Sequence, residues 1–185
     1  MMSYLRITPT ATSQAAFLSN SHNKNILIEA VREKMLMFGI RVKQAEADAD
    51  TLIISTALHV AESAEEPVVV IGTDTDLLVM LVARTTPSTN MYMLCRSNPT
   101  TMYNIHEIQR VIEDTAKHLM FLHAKTGCDT VSAIYRQRKC KAFNLVHKKQ
   151  DYDQLDTFTR AESIHKEVKK AGESFILKVY IACNF

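Results

Sequence analysis

The sequence predicts an α/β chain in which a parallel sheet is flanked by helices and followed by a mostly helical C-terminal part. Three observations carry that reading. Short β-branched and apolar runs, Val68–Ile71 and Met91–Cys95, have the look of strands buried on both faces. Stretches with apolar residues at helical spacing separate them. From Ile105 onward only helical patterns remain. Helix and strand in alternation imply parallel strands joined by crossover helices on both faces of a sheet.

In order, Asn25 to Phe38 places Ile26, Ile28, Ala30, Val31, Met35 and Phe38 near helical spacing, and Gly39 is the stop. Ile40 and Val42 alternate with polar residues and read as a short strand. Ala49 to Ala64 is helical, with Leu52, Ile53, Ala57, Val60 and Ala61 on one side. After Pro67 comes the strand Val68–Ile71, then a short helix over Leu77 to Val82 and the strand Met91–Cys95. Helices are expected over 105–114, 115–124, 131–136, 140–147, 158–171 and 173–181. The nine methionines read as core filler.

With 185 residues, 46% hydrophobic and 23% charged, the chain has enough apolar material for a core without metal or disulfide staples. Four glycines and four prolines exclude collagen-like and low-complexity classes. No run reaches the ~18 apolar residues of a spanning helix, and Met1 to Gln14 carries no apolar leader segment. Cys95, Cys128, Cys140 and Cys183 form no CxxC pair, which reads as free thiols in a reducing compartment, nuclear or cytoplasmic. A membrane is not an expected partner.

The net charge of +2 conceals a segregation. Between Gln44 and Asp76 stand eight acids and no Lys or Arg, whereas Thr130 to Lys170 holds ten Lys/Arg against five Asp/Glu. Nucleic acid together with a divalent cation would satisfy both regions, although two solvated faces would look the same.

The acids fall at element boundaries. Asp48 and Asp50 open a helix, Asp74 and Asp76 follow the strand Val68–Ile71, and Asp129 precedes a small helix. In open α/β sheets, sites assemble beyond the carboxyl ends of strands. Two residues apart on one helix, Asp48 and Asp50 converge only if Asp48 occupies the N-cap region. Gathered carboxylates repel unless cations neutralise them, and hard oxygen ligands select Mg²⁺ or Mn²⁺. Two such ions can drive phosphodiester hydrolysis. Acids at helix starts also serve as ordinary caps, which would explain Asp48/Asp50 or Asp129, and an Asp-Thr-Asp after a strand is often a turn, so each alone has a purely structural explanation. Glu46-Ala-Asp48-Ala-Asp50 is not a calcium loop, since Thr51-Leu52-Ile53 stands where a glycine is required.

Three segments together resemble a known superfamily: Glu46-Ala-Asp48-Ala-Asp50-Thr51, Gly72-Thr73-Asp74-Thr75-Asp76-Leu77-Leu78, and Leu122-His123-Ala124-Lys125-Thr126-Gly127-Cys128-Asp129-Thr130. They are similar to the PIN-like (Rossmann-like) domain of flap-endonuclease relatives, most closely a broad metazoan group with Ala-Asp-Thr, Asp-Thr-Asp and Thr-Gly-Cys-Asp-Thr motifs. The resemblance runs from about Phe17 to Ala182. It implies metal-dependent, two-ion cleavage of structured DNA or RNA, with Asp48, Asp50, Asp74, Asp76 and Asp129 as catalytic metal ligands and Glu46 as an alternative register. It also implies three parts: a nuclease core over 1–125, a helix-turn-helix-like basic element over 126–150, and a helical extension over 151–185. Arg136, Arg138, Lys139, Lys141, Lys148 and Lys149 line that basic element and are the expected contacts to the nucleic-acid backbone. Its turn, Gln137-Arg138-Lys139, lacks the glycine usual there. His123, beside the acids, is expected to be a packed or hydrogen-bonded structural histidine rather than a catalytic one.

The superfamily's first strand bears a further metal-binding Asp, but Met1 to Leu27 contains no acid at all. The chain is therefore expected to lack that strand and to be a weak or inactive nuclease. The competing expectation is a catalytically dead binding or structural protein derived from a mobile element. A haloacid-dehalogenase-like phosphatase fits less well. There the first Asp directly follows the strand and a later acidic pair is needed, whereas here Gly72-Thr73 intervenes and no Asp-Asp occurs.

Overall fold

The computed structural model describes residues 13–97, 99–128, 132, 139–149, 154–160 and 162–181. They form a mixed α/β structure dominated by helix, in two compact units, Met1–Ala47 and Asp48–Phe185.

The first unit holds α1 (Gln14–Ser19) and α2 (Ser21–Met37). Asn20 caps α2 by accepting the His22 and Asn23 N–H groups, satisfying two of the four donors a helix start leaves open. At the other end Gly39 adopts φ +73°, and the Gly39 and Ile40 N–H groups donate back to the Leu36 and Met35 carbonyls. That paired closure requires a left-handed residue, which is why glycine stands there. Ile40 and Val42 do not form a strand, contrary to their alternation: Ile40 is drawn into the helix closure and no ladder partner is present among the described residues.

The second unit begins with α3 (Ala49–Ser63), followed by β1 (Val68–Ile71), α4 (Thr75–Arg84), β2 (Met91–Cys95), β3 (Thr101–Asn104) and α5 (Ile105–Ile112). A 3-10 turn, Glu113–His118, leads into α6 (Leu119–Thr126); α7 (Lys139–Lys149) and α8 (His165–Ile181) follow, with a 3-10 turn at Asp156–Phe158 between them. The sheet order is β1-β2-β3. β1 pairs with β2 in parallel, Val70 opposite Met93, and β2 pairs with β3 antiparallel, Met93 opposite Tyr103.

Three expectations are corrected here. The sheet is mixed, because β3 returns along β2 as a hairpin strand. Helices do not cover both faces among the described residues: one core cluster joins Ile54 and Ala57 of α3, Leu77, Leu81 and Val82 of α4, and Ile105 and Ile112 of α5 to Val70, Met91 and Met93. The strand Val68–Ile71 is consequently buried on one face only; Val70 is 6% exposed, but Val69 and Ile71 are 43% and 64% exposed. The two C-terminal helices expected over 158–171 and 173–181 are one helix, α8. Gly172 is buried inside it, packed beneath the Phe158 ring. The helix expected at 131–136 lies outside the described residues, Ser132 excepted. Methionine is divided between roles: Met91 and Met93 are core, whereas Met37 and Met102 are exposed.

A second cluster, Leu122 of α6, Ala142 and Val146 of α7, Leu155, and Phe175 and Val179 of α8, binds the C-terminal helices together. Phe121 stacks on Phe158 and meets Phe175 edge-on. No helix among the described residues is long and apolar enough to cross a membrane.

Candidate functional site

The acids sit where the chain turns from strand to helix. Asp48 is the N-cap of α3: its carboxylate accepts the Asp50 N–H at 3.3 Å, the Thr51 N–H at 2.9 Å and the Thr51 hydroxyl. The Thr51 hydroxyl first, then the Thr51 and Asp50 amides, hold its pKa below the usual carboxylate value by stabilising the ionised form. Asp74 is the N-cap of α4, accepting the Asp76 N–H at 2.9 Å. Asp50 and Asp76 each occupy the first turn of the helix so capped, where the helix dipole favours negative charge. The N-cap position that the Asp48/Asp50 spacing required is the one observed.

α4 follows β1 after only three residues, so Asp74 and Asp76 lie just beyond the carboxyl end of β1. α3 packs on both β1 and α4. Gly72 makes the tight exit from β1 possible, since a Cβ there would meet the Leu77 side chain at 2.6 Å. Leu77 is itself 3% exposed and cannot yield freely.

α6 packs on α4 and delivers the remaining member of the site. His123 Nε2 lies 3.4 Å from Asp76 Oδ2, and the two side chains are only 9% and 16% exposed. His123 is packed, and its neighbour, which sequence reasoning did not name, is Asp76. No local pattern links positions so distant in the chain.

The described acids thus form two pairs, Asp48 with Asp50 and Asp74 with Asp76, the second extended by His123. Glu46 is exposed and belongs to the unit Met1–Ala47. Asp129 lies outside the described residues. Among the described residues no group of three or more His, Cys, Asp or Glu side chains is gathered to hold a metal ion. The donor chemistry suits Mg²⁺ or Mn²⁺, but the described side chains alone do not assemble a site for either.

Of the expected backbone contacts, Arg136 and Arg138 lie outside the described residues. Lys139, Lys141, Lys148 and Lys149 all belong to α7, which contains no acid; Lys141 and Lys148 are exposed, and the other two side chains are not among those described. Cys95, Cys128 and Cys140 are not joined in disulfides. No family model, curated protein or solved structure matches the chain.

Proposed function

We propose that this chain is a PIN-like, nuclease-related protein that engages the backbone of DNA or RNA, with phosphodiester chemistry, where it occurs, at the carboxyl end of β1. The observation that carries the reading is the start of α4. There Asp74 caps the helix, Asp76 fills its first turn against the half-buried His123, and both stand where open α/β sheets build their sites. The uniformly basic α7 supports an anionic partner, because clustered lysines without acids attract phosphate at any sequence.

A second reading, a binding protein without chemistry, has its own support. Asp48 and Asp74 are engaged as helix caps. The two readings share the nucleic-acid backbone as partner and differ only in turnover.

Anisotropy of labelled flap, duplex and single-stranded oligonucleotides over a salt series tests what they share. Binding should weaken with salt, with a log–log slope of about −0.9 per phosphate contacted on duplex DNA. Lys141→Ala with Lys148→Ala should reduce affinity for all sequences alike. Absence of binding to every oligonucleotide at low salt would overturn both readings.

A further inference from the structure

α4, α6 and α7 line an open cavity of about 360 Å³ beside the acid pair. Its size is at the lower end of small-ligand pockets, roughly 300–1,000 Å³, so it holds one small planar group rather than an extended ligand. We infer that it receives a single unstacked nucleobase, whose sugar-phosphate then runs onto the lysines of α7. The inference rests on the nucleic-acid reading above and names a contact that reading does not contain.

The walls have the mixed character a base requires. Val79, Leu119 and Leu122 are apolar, and Phe143 contributes an aromatic ring. Every nucleobase has a π-face that such a surface accepts. Asn144 and His123 supply polar groups at the lining. A side-chain amide holds a donor and an acceptor side by side, the combination that pairs with adenine through two hydrogen bonds.

The α7 wall of the cavity also provides for the phosphate. Cys140 and Asn144 both line the cavity and are four residues apart on α7. Lys148 continues the same stripe one turn further, because positions i, i+4 and i+8 share a helix face. Lys148 is exposed. A base seated against Asn144 therefore has a cation one helical turn away along α7, without any metal.

The test uses the 185-residue chain and three probes: a single-stranded oligonucleotide carrying one 2-aminopurine, the same strand with an abasic site there, and free 2-aminopurine riboside. Fluorescence reports unstacking, and peptide mass spectrometry reports the rate of Cys140 alkylation, since Cys140 lines the same cavity. The wild type should raise the fluorescence of the oligonucleotide and slow alkylation of Cys140. Val79→Phe, which fills the cavity, should abolish both effects and weaken binding of the 2-aminopurine strand about tenfold, the scale of one lost base contact. Asn144→Leu, an exposed position of similar volume, keeps the test decisive if Val79→Phe folds poorly, and should remove any preference for adenine. Lys148→Ala should weaken the strand but not the riboside. Salt-sensitive binding in which the abasic strand binds as tightly and Cys140 stays unprotected overturns the pocket and leaves the proposed function standing. Protection by the riboside without binding of any strand keeps the base pocket and overturns the proposed function. Fluorescence unchanged between wild type and both cavity variants overturns the inference, and protection by an aliphatic additive alone identifies a non-nucleotide site.

Discussion

His123 Nε2 stands 3.4 Å from Asp76 Oδ2 in a setting where neither side chain is more than 16% exposed. The contact fastens α6 to the first turn of α4, and so joins the sheet-bound helices to the C-terminal helices. Loss of either partner leaves a largely desolvated polar group behind. His123→Ala should therefore destabilise the chain by about 1–3 kcal/mol. A denaturant-melt cycle with Asp76→Asn should give a clear coupling energy, and additive effects of the two changes would mean that the contact contributes nothing.

Asp74 separates capping from charge. Asn caps a helix about as well as Asp, whereas Ala removes the acceptor. Asp74→Ala should lose about 1 kcal/mol by denaturant melt, and Asp74→Asn should stay near the wild type. If Asn destabilises as much as Ala, the carboxylate's charge and not its hydrogen bond to the Asp76 amide is what the fold uses.

Leu81 is fully buried at the centre of the cluster that joins α3, α4 and α5 to the sheet. Leu81→Ala should cost about 2–5 kcal/mol, the range for deleting a buried leucine side chain and leaving a cavity. Leu177, on α8 but 62% exposed, serves as the control, and its alanine variant should be nearly neutral. Equal losses at the two positions would refute the assigned core.

Stability should fall as pH drops below about 6.5. His118 is buried, and burial lowers its pKa from 6.5 despite Asp156 Oδ1 at 3.3 Å from Nε2, which acts the other way, as does the more distant Asp114; Lys117 reinforces the lowering. With its folded pKa lowered, the unfolded chain binds more protons in this range. The contribution is therefore complete above 6.5 and is lost as pH falls towards the folded value. Thermal melts between pH 7.5 and 5.5 should show the decline, and His118→Gln should flatten it. An unchanged slope in the variant would assign the effect elsewhere.

What could be read from the sequence was whatever local chemistry determines. Asp48 and Asp74 cap helices because an acid followed by free backbone amides is a local arrangement, and the runs Val68–Ile71 and Met91–Cys95 are strands as their composition implies. Gly39 ends α2 for a local reason too. What escaped depends on distant partners. Thr101–Asn104 is only four residues long and becomes β3 by pairing with β2. Ile40 and Val42 alternate like a strand yet form none, because Ile40 closes α2 instead. Gly172 looked like a break, but packing under Phe158 keeps α8 continuous across it. The Asp76–His123 contact exists only once α6 is docked on α4, so spacing alone could suggest neither the pair nor the cavity next to it.

The central claim is that the carboxyl end of β1 serves nucleic-acid backbone chemistry. The most direct measurement is incubation of the 185-residue chain with flap, duplex and single-stranded substrates in Mn²⁺, alongside Asp74→Asn, which should keep the helix cap while removing the charge. The account predicts binding with slow cleavage or none by the wild type, and no cleavage at all by Asp74→Asn. Cleavage that persists undiminished in Asp74→Asn would contradict it, since the chemistry would then lie elsewhere in the chain.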